Sequence, residues 1–151
     1  MTHKAVRGAP DRRADGREPV MALTIDDHLE IQTLVARYNH AVDSGDGESF
    51  AVTFTEAGVL DAGALYVEGR EALAEFAEGL PNGVWAPRHI TSNLLIDGSG
   101  DRATMQSYVQ MYALAGDPPV QQIAASGRYN DQLVKLDGRW HFERRVYVAD
   151  E

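Results

Sequence analysis

The chain has 151 residues, of which 44% are hydrophobic and 25% charged, with no cysteine and a formal net charge of −9. This length and apolar share suit one globular domain. The missing thiols exclude disulfides, thiolate metal sites, Fe–S ligation and cysteine nucleophiles. Net negative charge opposes binding to a phosphate backbone, so nucleic acid is not an expected partner. No apolar stretch approaches the ~18–20 residues that a membrane span needs. Nothing calls for an oxidising compartment, and a cytoplasmic location is the expectation.

Residues 1–20 carry five basic and three acidic side chains, almost no apolar ones, and no apolar core of a secretory signal. They read as a disordered tail, or as an extension upstream of a second start at Met21, and the fold is assigned to residues 21–151. Thr24 followed by Asp27 is a capping-box variant. Behind it Ile31, Leu34, Val35, Tyr38 and Val42 form one stripe at helical spacing. That helix runs to about Asp43 and stops at Ser44-Gly45. Asp46 caps a second short helix, Gly47 to Phe54, with Phe50 and Phe54 as its apolar pair. Gly58–Leu60 and Leu65–Val67 read as short strands. Arg70–Glu78 reads as a third helix burying Leu73 and Phe76.

Long strands follow. Arg88–Ile96 and Arg102–Leu114 are joined by Asp97-Gly98-Ser99-Gly100. Val120–Leu136 and Arg139–Val148 are joined by Asp137-Gly138, a strong two-residue hairpin signal. Helices first and an antiparallel meander afterwards predict an α+β fold, with the helices over one face of a curved sheet. Such a sheet encloses an apolar pocket, where a few placed polar groups would do the chemistry.

Asp43 lies in the last turn of the first helix, beside the apolar stripe. It reads either as a solvated acid next to Gly45 or as a pocket carboxylate. His89 opens the first long strand. Alternation groups it with Thr91 and Asn93 on one face, so it reads either as a structural histidine or as a general base on a polar pocket wall. Tyr38 sits on the core stripe, with its hydroxyl a candidate for the pocket. Asp61 is a second pocket acid or a strand-end residue in water. Trp85, in a Gly/Pro-rich link, is placed to cover the cavity. Tyr129 is a further wall candidate, and Trp140 is assigned to the core. Arg144 and Arg145 point to opposite faces, so at most one is buried. His40 and Asp43, three apart on a helix, permit a metal, but no second ligand pair accompanies them and none is assigned.

The ordered set Leu34-Val35-Ala36-Arg37-Tyr38, Ala41 to Asp46, Phe54 to Leu60, Glu68 to Leu73, Arg88-His89, Gly127-Arg128-Tyr129, Leu136 to Trp140 and Arg144-Arg145 resembles the NTF2-like superfamily, and within it the SnoaL-like group. The resemblance implies a cone-shaped α+β barrel with a deep pocket. Scytalone dehydratases and the hexachlorocyclohexane dehydrochlorinases in this superfamily use an Asp–His dyad, whose positions fall on Asp43 and His89. The resemblance implies that His89 takes the proton and Asp43 orients it. Val42 stands where scytalone dehydratases have a tyrosine, and no second pocket histidine occurs near Ser126–Arg128. In ketosteroid isomerases the oxyanion-binding tyrosine falls on Tyr38, and the catalytic acid falls near Asp61 across a one-residue gap.

Two functions are therefore expected. The first is a cofactor-independent lyase or isomerase acting on a small, mostly apolar organic molecule, with Asp43 and His89 catalytic and Tyr38, Asp61, Trp85, Asn93 and Tyr129 around the substrate. The second is a non-catalytic ligand-binding protein, or the small subunit of a larger oxygenase. The resemblance also implies a homodimer or higher homo-oligomer, through the open sheet face.

Overall fold

A computed structural model describes residues 21–80 and 86–150. The expected tail at residues 1–20 and the expected lid residue Trp85 lie outside the described residues. Helix α1 spans Ile25–Ser44, and Thr24 caps it through the anticipated capping box. Asp27 N donates to Thr24 Oγ1 at 3.1 Å, and Thr24 N donates back to Asp27 Oδ2 at 2.9 Å. The helix ends at Gly45, whose φ of 70° is one that glycine adopts without a Cβ clash. All five residues of the predicted stripe are buried.

Helix α2 spans only Gly47–Ala51, because Phe54 already begins strand β1, Phe54–Ala62. The Phe50–Phe54 contact survives the change of element, with ring centroids 5.5 Å apart. Strand β2, Leu65–Glu68, pairs antiparallel with β1. Helix α3 spans Arg70–Glu78; it buries Leu73 fully, while Phe76 is only half-buried at the pocket edge.

Strands β3 (Arg88–Ser99), β4 (Arg102–Ala115), β5 (Val120–Leu136) and β6 (Arg139–Ala149) form the expected antiparallel meander. At the β5–β6 turn, Asp137 and Gly138 have φ of 49° and 76°. Two positive φ values in succession match the twist of a tight hairpin. The full strand order is β2-β1-β6-β5-β4-β3, with β1 running parallel to β6. Register shifts in the β1–β6, β3–β4, β4–β5 and β5–β6 pairings mark bulges that bend the sheet. The sheet is curved but unclosed, since β2 and β3 remain its free edges.

The helices pack on the inner face, where Tyr38, Phe50, Phe54 and Phe142 form a ring cluster. Asp27 fastens the start of α1 to the far hairpin. Its Oδ1 accepts from Lys135 Nζ at 2.8 Å and from Trp140 Nε1 at 2.9 Å. These bonds, Lys135 first, hold the Asp27 carboxyl well below the usual carboxylate range. A folded pKa below the unfolded one adds stability that is complete above about pH 5 and lost as the pH falls through the unfolded value near ~4 and below. Asp27→Ala should therefore cost about 2–4 kcal/mol near neutral pH, counting lost charge-assisted bonds and the cap. Urea unfolding should show this deficit shrinking as the pH is lowered toward 3. A deficit independent of pH would mean that packing, not the carboxylate, holds the helix.

Candidate functional site

Asp43 and His89 meet where the end of α1 crosses the start of β3. His89 Nδ1 lies 2.6 Å from Asp43 Oδ1, and the His89 backbone N–H donates to Oδ2 at 3.0 Å. Both side chains are mostly buried, at 12% and 14% exposure for Asp43 and His89. One turn earlier, Asn39 Nδ2 donates to Thr91 Oγ1 at 3.1 Å. The match is geometric: four helical residues advance about 6 Å and two strand residues about 6.6 Å. Residues 39 and 43 can thus face residues 91 and 89 as two rungs. Asn39 escaped the sequence reading, although its i,i+4 relation to Asp43 was a usable signal. A charged Asp43 accepts the proton on Nδ1, which leaves the lone pair of the ring on Nε2.

His89 also borders a cavity of about 270 Å³ between the helices and the inner sheet face. Its wall is largely apolar, with Val42, Leu60, Val109 and Met111 among the lining residues. The polar tips on that wall belong to His89, Tyr38, Tyr129 and Tyr147. Burial pushes the Tyr38 and Tyr129 hydroxyls above the usual tyrosine range, Tyr129 the further, so both are protonated donors. Tyr38 and Tyr129 are 3% and 4% exposed. The structure thus brings Tyr38, Tyr129 and His89 to one cavity, with Asp43 behind His89.

Behind the tyrosines lies Arg145, which is completely buried. Its Nε and Nη2 donate to the two oxygens of buried Asp131 at 2.9 and 2.8 Å. Its guanidinium carbon stands 4.3 Å from the Tyr38 ring centroid and 4.0 Å from those of Tyr129 and Phe142. Burial opposes its charge, but the Asp131 carboxylate outweighs that and holds the guanidinium protonated. The expectation that at most one of Arg144 and Arg145 is buried holds: Arg144 is half-buried and pairs with Asp61.

Two expected wall residues lie elsewhere. Asp61 does not border the cavity; it is occupied by Arg144 and by the Gly63 N–H, which donates to Asp61 Oδ1 at 3.1 Å. Asn93 is exposed and lines a groove of about 570 Å³ that also contains the exposed Tyr108 and Arg128. A β-bulge explains the correction. Ser92 pairs with Tyr108 and Leu95 with Gln106, so Asn93 and Leu94 together oppose one residue of β4. Asn93 takes a φ of 55° there, and the inward phase passes from His89 and Thr91 to Leu94 and Ile96. Simple alternation cannot foresee that step. Among the described residues, no group of three or more His, Cys, Asp or Glu side chains is placed to hold a metal ion, and no helix is long and apolar enough to cross a membrane.

The SnoaL-like domain family matches residues 23–146. Rv3472 of Mycobacterium tuberculosis, a protein of unknown function, is 35% identical with a TM-score of 0.78, covering 83% of this chain and 73% of its own. A Nostoc punctiforme protein of unknown function with a cystatin-like fold is 32% identical with a TM-score of 0.75, covering 86% and 96%. A candidate scytalone dehydratase from Novosphingobium aromaticivorans is 26% identical with a TM-score of 0.73, covering 84% and 86%. No curated protein matches the chain. The family match spans nearly every described element, from α1 into β6: the chain is a member of the SnoaL-like family.

Proposed function

We propose that the protein is a cofactor-independent enzyme that removes a proton from a small, largely apolar organic molecule bound in the inner cavity. Dehydration, another elimination, isomerisation or cyclisation would follow from that first step. The observation that carries this reading is the 2.6 Å contact between His89 Nδ1 and Asp43 at the edge of an otherwise apolar cavity. His89 acts as general base through Nε2 and returns the proton as general acid. Asp43 fixes the tautomer and stabilises the imidazolium. Tyr38 and Tyr129, both protonated donors, face the developing oxyanion. The similarity to a candidate scytalone dehydratase agrees with this class of chemistry.

The test is exchange of carbon-bound hydrogen for deuterium in D₂O, across a panel of small enolisable ketones and β-hydroxy carbonyl compounds. Exchange catalysed by the wild type and abolished in His89→Ala supports the reading. Binding of panel members without any exchange would favour a ligand-binding role.

We also infer that two copies pair through the outer sheet face. Ile90, Leu95, Tyr108 and Val148 are 51%, 71%, 54% and 42% exposed. The strand register aligns Ser92, Tyr108, Arg128 and Val148 in one cross-strand row on that face. Exposed apolar side chains grouped this way mark association surfaces. Sedimentation equilibrium should give twice the chain mass, and Leu95→Lys should return it to that of one chain. A wild-type monomer would sink the idea.

A further inference from the structure

We infer a second binding site, for a small phosphorylated molecule, in the groove between the outer side of α1 and the start of β6. The groove holds about 410 Å³ and shares no lining residue with the inner cavity. Arg37 and His40 enter it from α1, and Arg139 and His141 from β6. Among the described residues Arg70, Arg102, Lys135, Arg144 and Arg145 each pair with a carboxylate, whereas Arg37 and Arg139 have none within 4.0 Å. Arg88 and Arg128 also lack a carboxylate partner, but each lines a different hollow, whereas this groove gathers two such arginines on a chain of net charge −9.

Negative groups of the protein answer this charge only in part. Asp46 is the one acid lining the groove; its charge offsets one of the two guanidinium groups, and its Oδ1 is taken by the Ser49 N–H at 3.0 Å. The α1 carbonyls nearest the groove are also occupied, since Ser44 Oγ donates to the His40 and Ala41 carbonyls at 2.8 and 3.2 Å. His141 Nδ1 donates to the Arg139 carbonyl at 3.0 Å, which leaves the lone pair of its neutral ring on Nε2. Guanidinium forks match phosphate oxygens in pairs, and two forks offer more donors than the two oxygens of a carboxylate can use. Leu34 and the half-exposed Val52 supply an apolar margin for the organic part of such a ligand.

Pyrophosphate is the probe, titrated into labelled wild-type protein and followed through the imidazole NMR signals. The His40 and His141 signals should move along one saturating curve, while that of His28, at the other end of α1, stays still. The double variant Arg37→Gln, Arg139→Gln should weaken binding by about tenfold or more, the loss expected of charge-assisted bonds. Arg70→Gln, at the start of α3 and outside both the groove and the inner cavity, should bind as the wild type does. Equal weakening by Arg70→Gln, or unmoved His40 and His141 signals, would overturn the site. A dicarboxylate such as succinate that binds as tightly as pyrophosphate would overturn the phosphate assignment. Because both arginines are exposed, the double variant is expected to unfold at the wild-type denaturant midpoint, which separates lost binding from lost structure.

Discussion

His89→Ala should lower turnover by about 10²–10⁴-fold, the range a positioned general base contributes, while changing substrate affinity by no more than about threefold. The asymmetry follows from the cavity. Most of its wall is aliphatic or aromatic, so binding comes from apolar area that the substitution leaves in place. Asp43→Asn should lower turnover by about 10²-fold or more with affinity again retained. An asparagine in that position can offer its N–H₂ to Nδ1, which would place the ring proton on Nε2 and remove the base from the cavity. Imidazole ¹⁵N shifts should report this exchange of tautomers. Affinity falling in step with turnover would show that the pair holds the ligand rather than moving its proton.

Arg145→Met should destabilise the fold by about 3–5 kcal/mol, because it leaves the buried Asp131 carboxylate without its partner. That loss is a large share of the ~5–15 kcal/mol that holds a domain folded. Its pH dependence has a definite sign. Burial already raises the Asp131 pKa above the ordinary carboxylate value with Arg145 in place. Without the guanidinium the folded pKa rises further, and a group whose folded pKa is raised favours folding at low pH and opposes it as the pH climbs through that pKa. The deficit against wild type should therefore be larger at pH 8 than at pH 5 in urea unfolding. Asp131→Leu in the same chain should recover much of the loss, since an apolar pair replaces an unpaired charge. A double variant no better than the single one would show that the stacked guanidinium itself, between the Tyr38 and Tyr129 rings, supplies the stability.

Most elements were legible because local chemistry and the tertiary fold agree along most of the chain. The capping box at Thr24, the stripe on α1, the Arg70–Glu78 helix and the Asp137-Gly138 turn depend on neighbours a few residues away. The end of α2 was missed because Phe50 and Phe54 satisfy helical spacing, while only β6, some ninety residues on, decides that Phe54 belongs to a strand. The Asp131–Arg145 pair was hidden by one residue. Counting back from the turn sets Asp131 opposite Arg144, and the bulge between Gln132 and Leu133 moves it to Arg145. Asn93 was misplaced by the same kind of event on β3. Bulges need only one extra residue and no distinctive composition, so alternation gives the right face only as far as the first of them.

The parallel pairing of β1 with β6 also constrains the order in which the chain can be completed. During synthesis α1, α2, β1 and β2 all emerge before β6, the strand that β1 must join. Asp27 likewise waits for Lys135 and Trp140, and Tyr38 for Arg145. The amino-terminal half therefore carries its apolar stripe and one unpaired edge of β1 until the last hairpin closes. Contacts so distant in sequence make for slow folding and prolonged exposure of that surface. A nascent chain stalled before residue 139 would lack the β6 pairing for β1, and its release is the step that lets the sheet and the helices over it settle together.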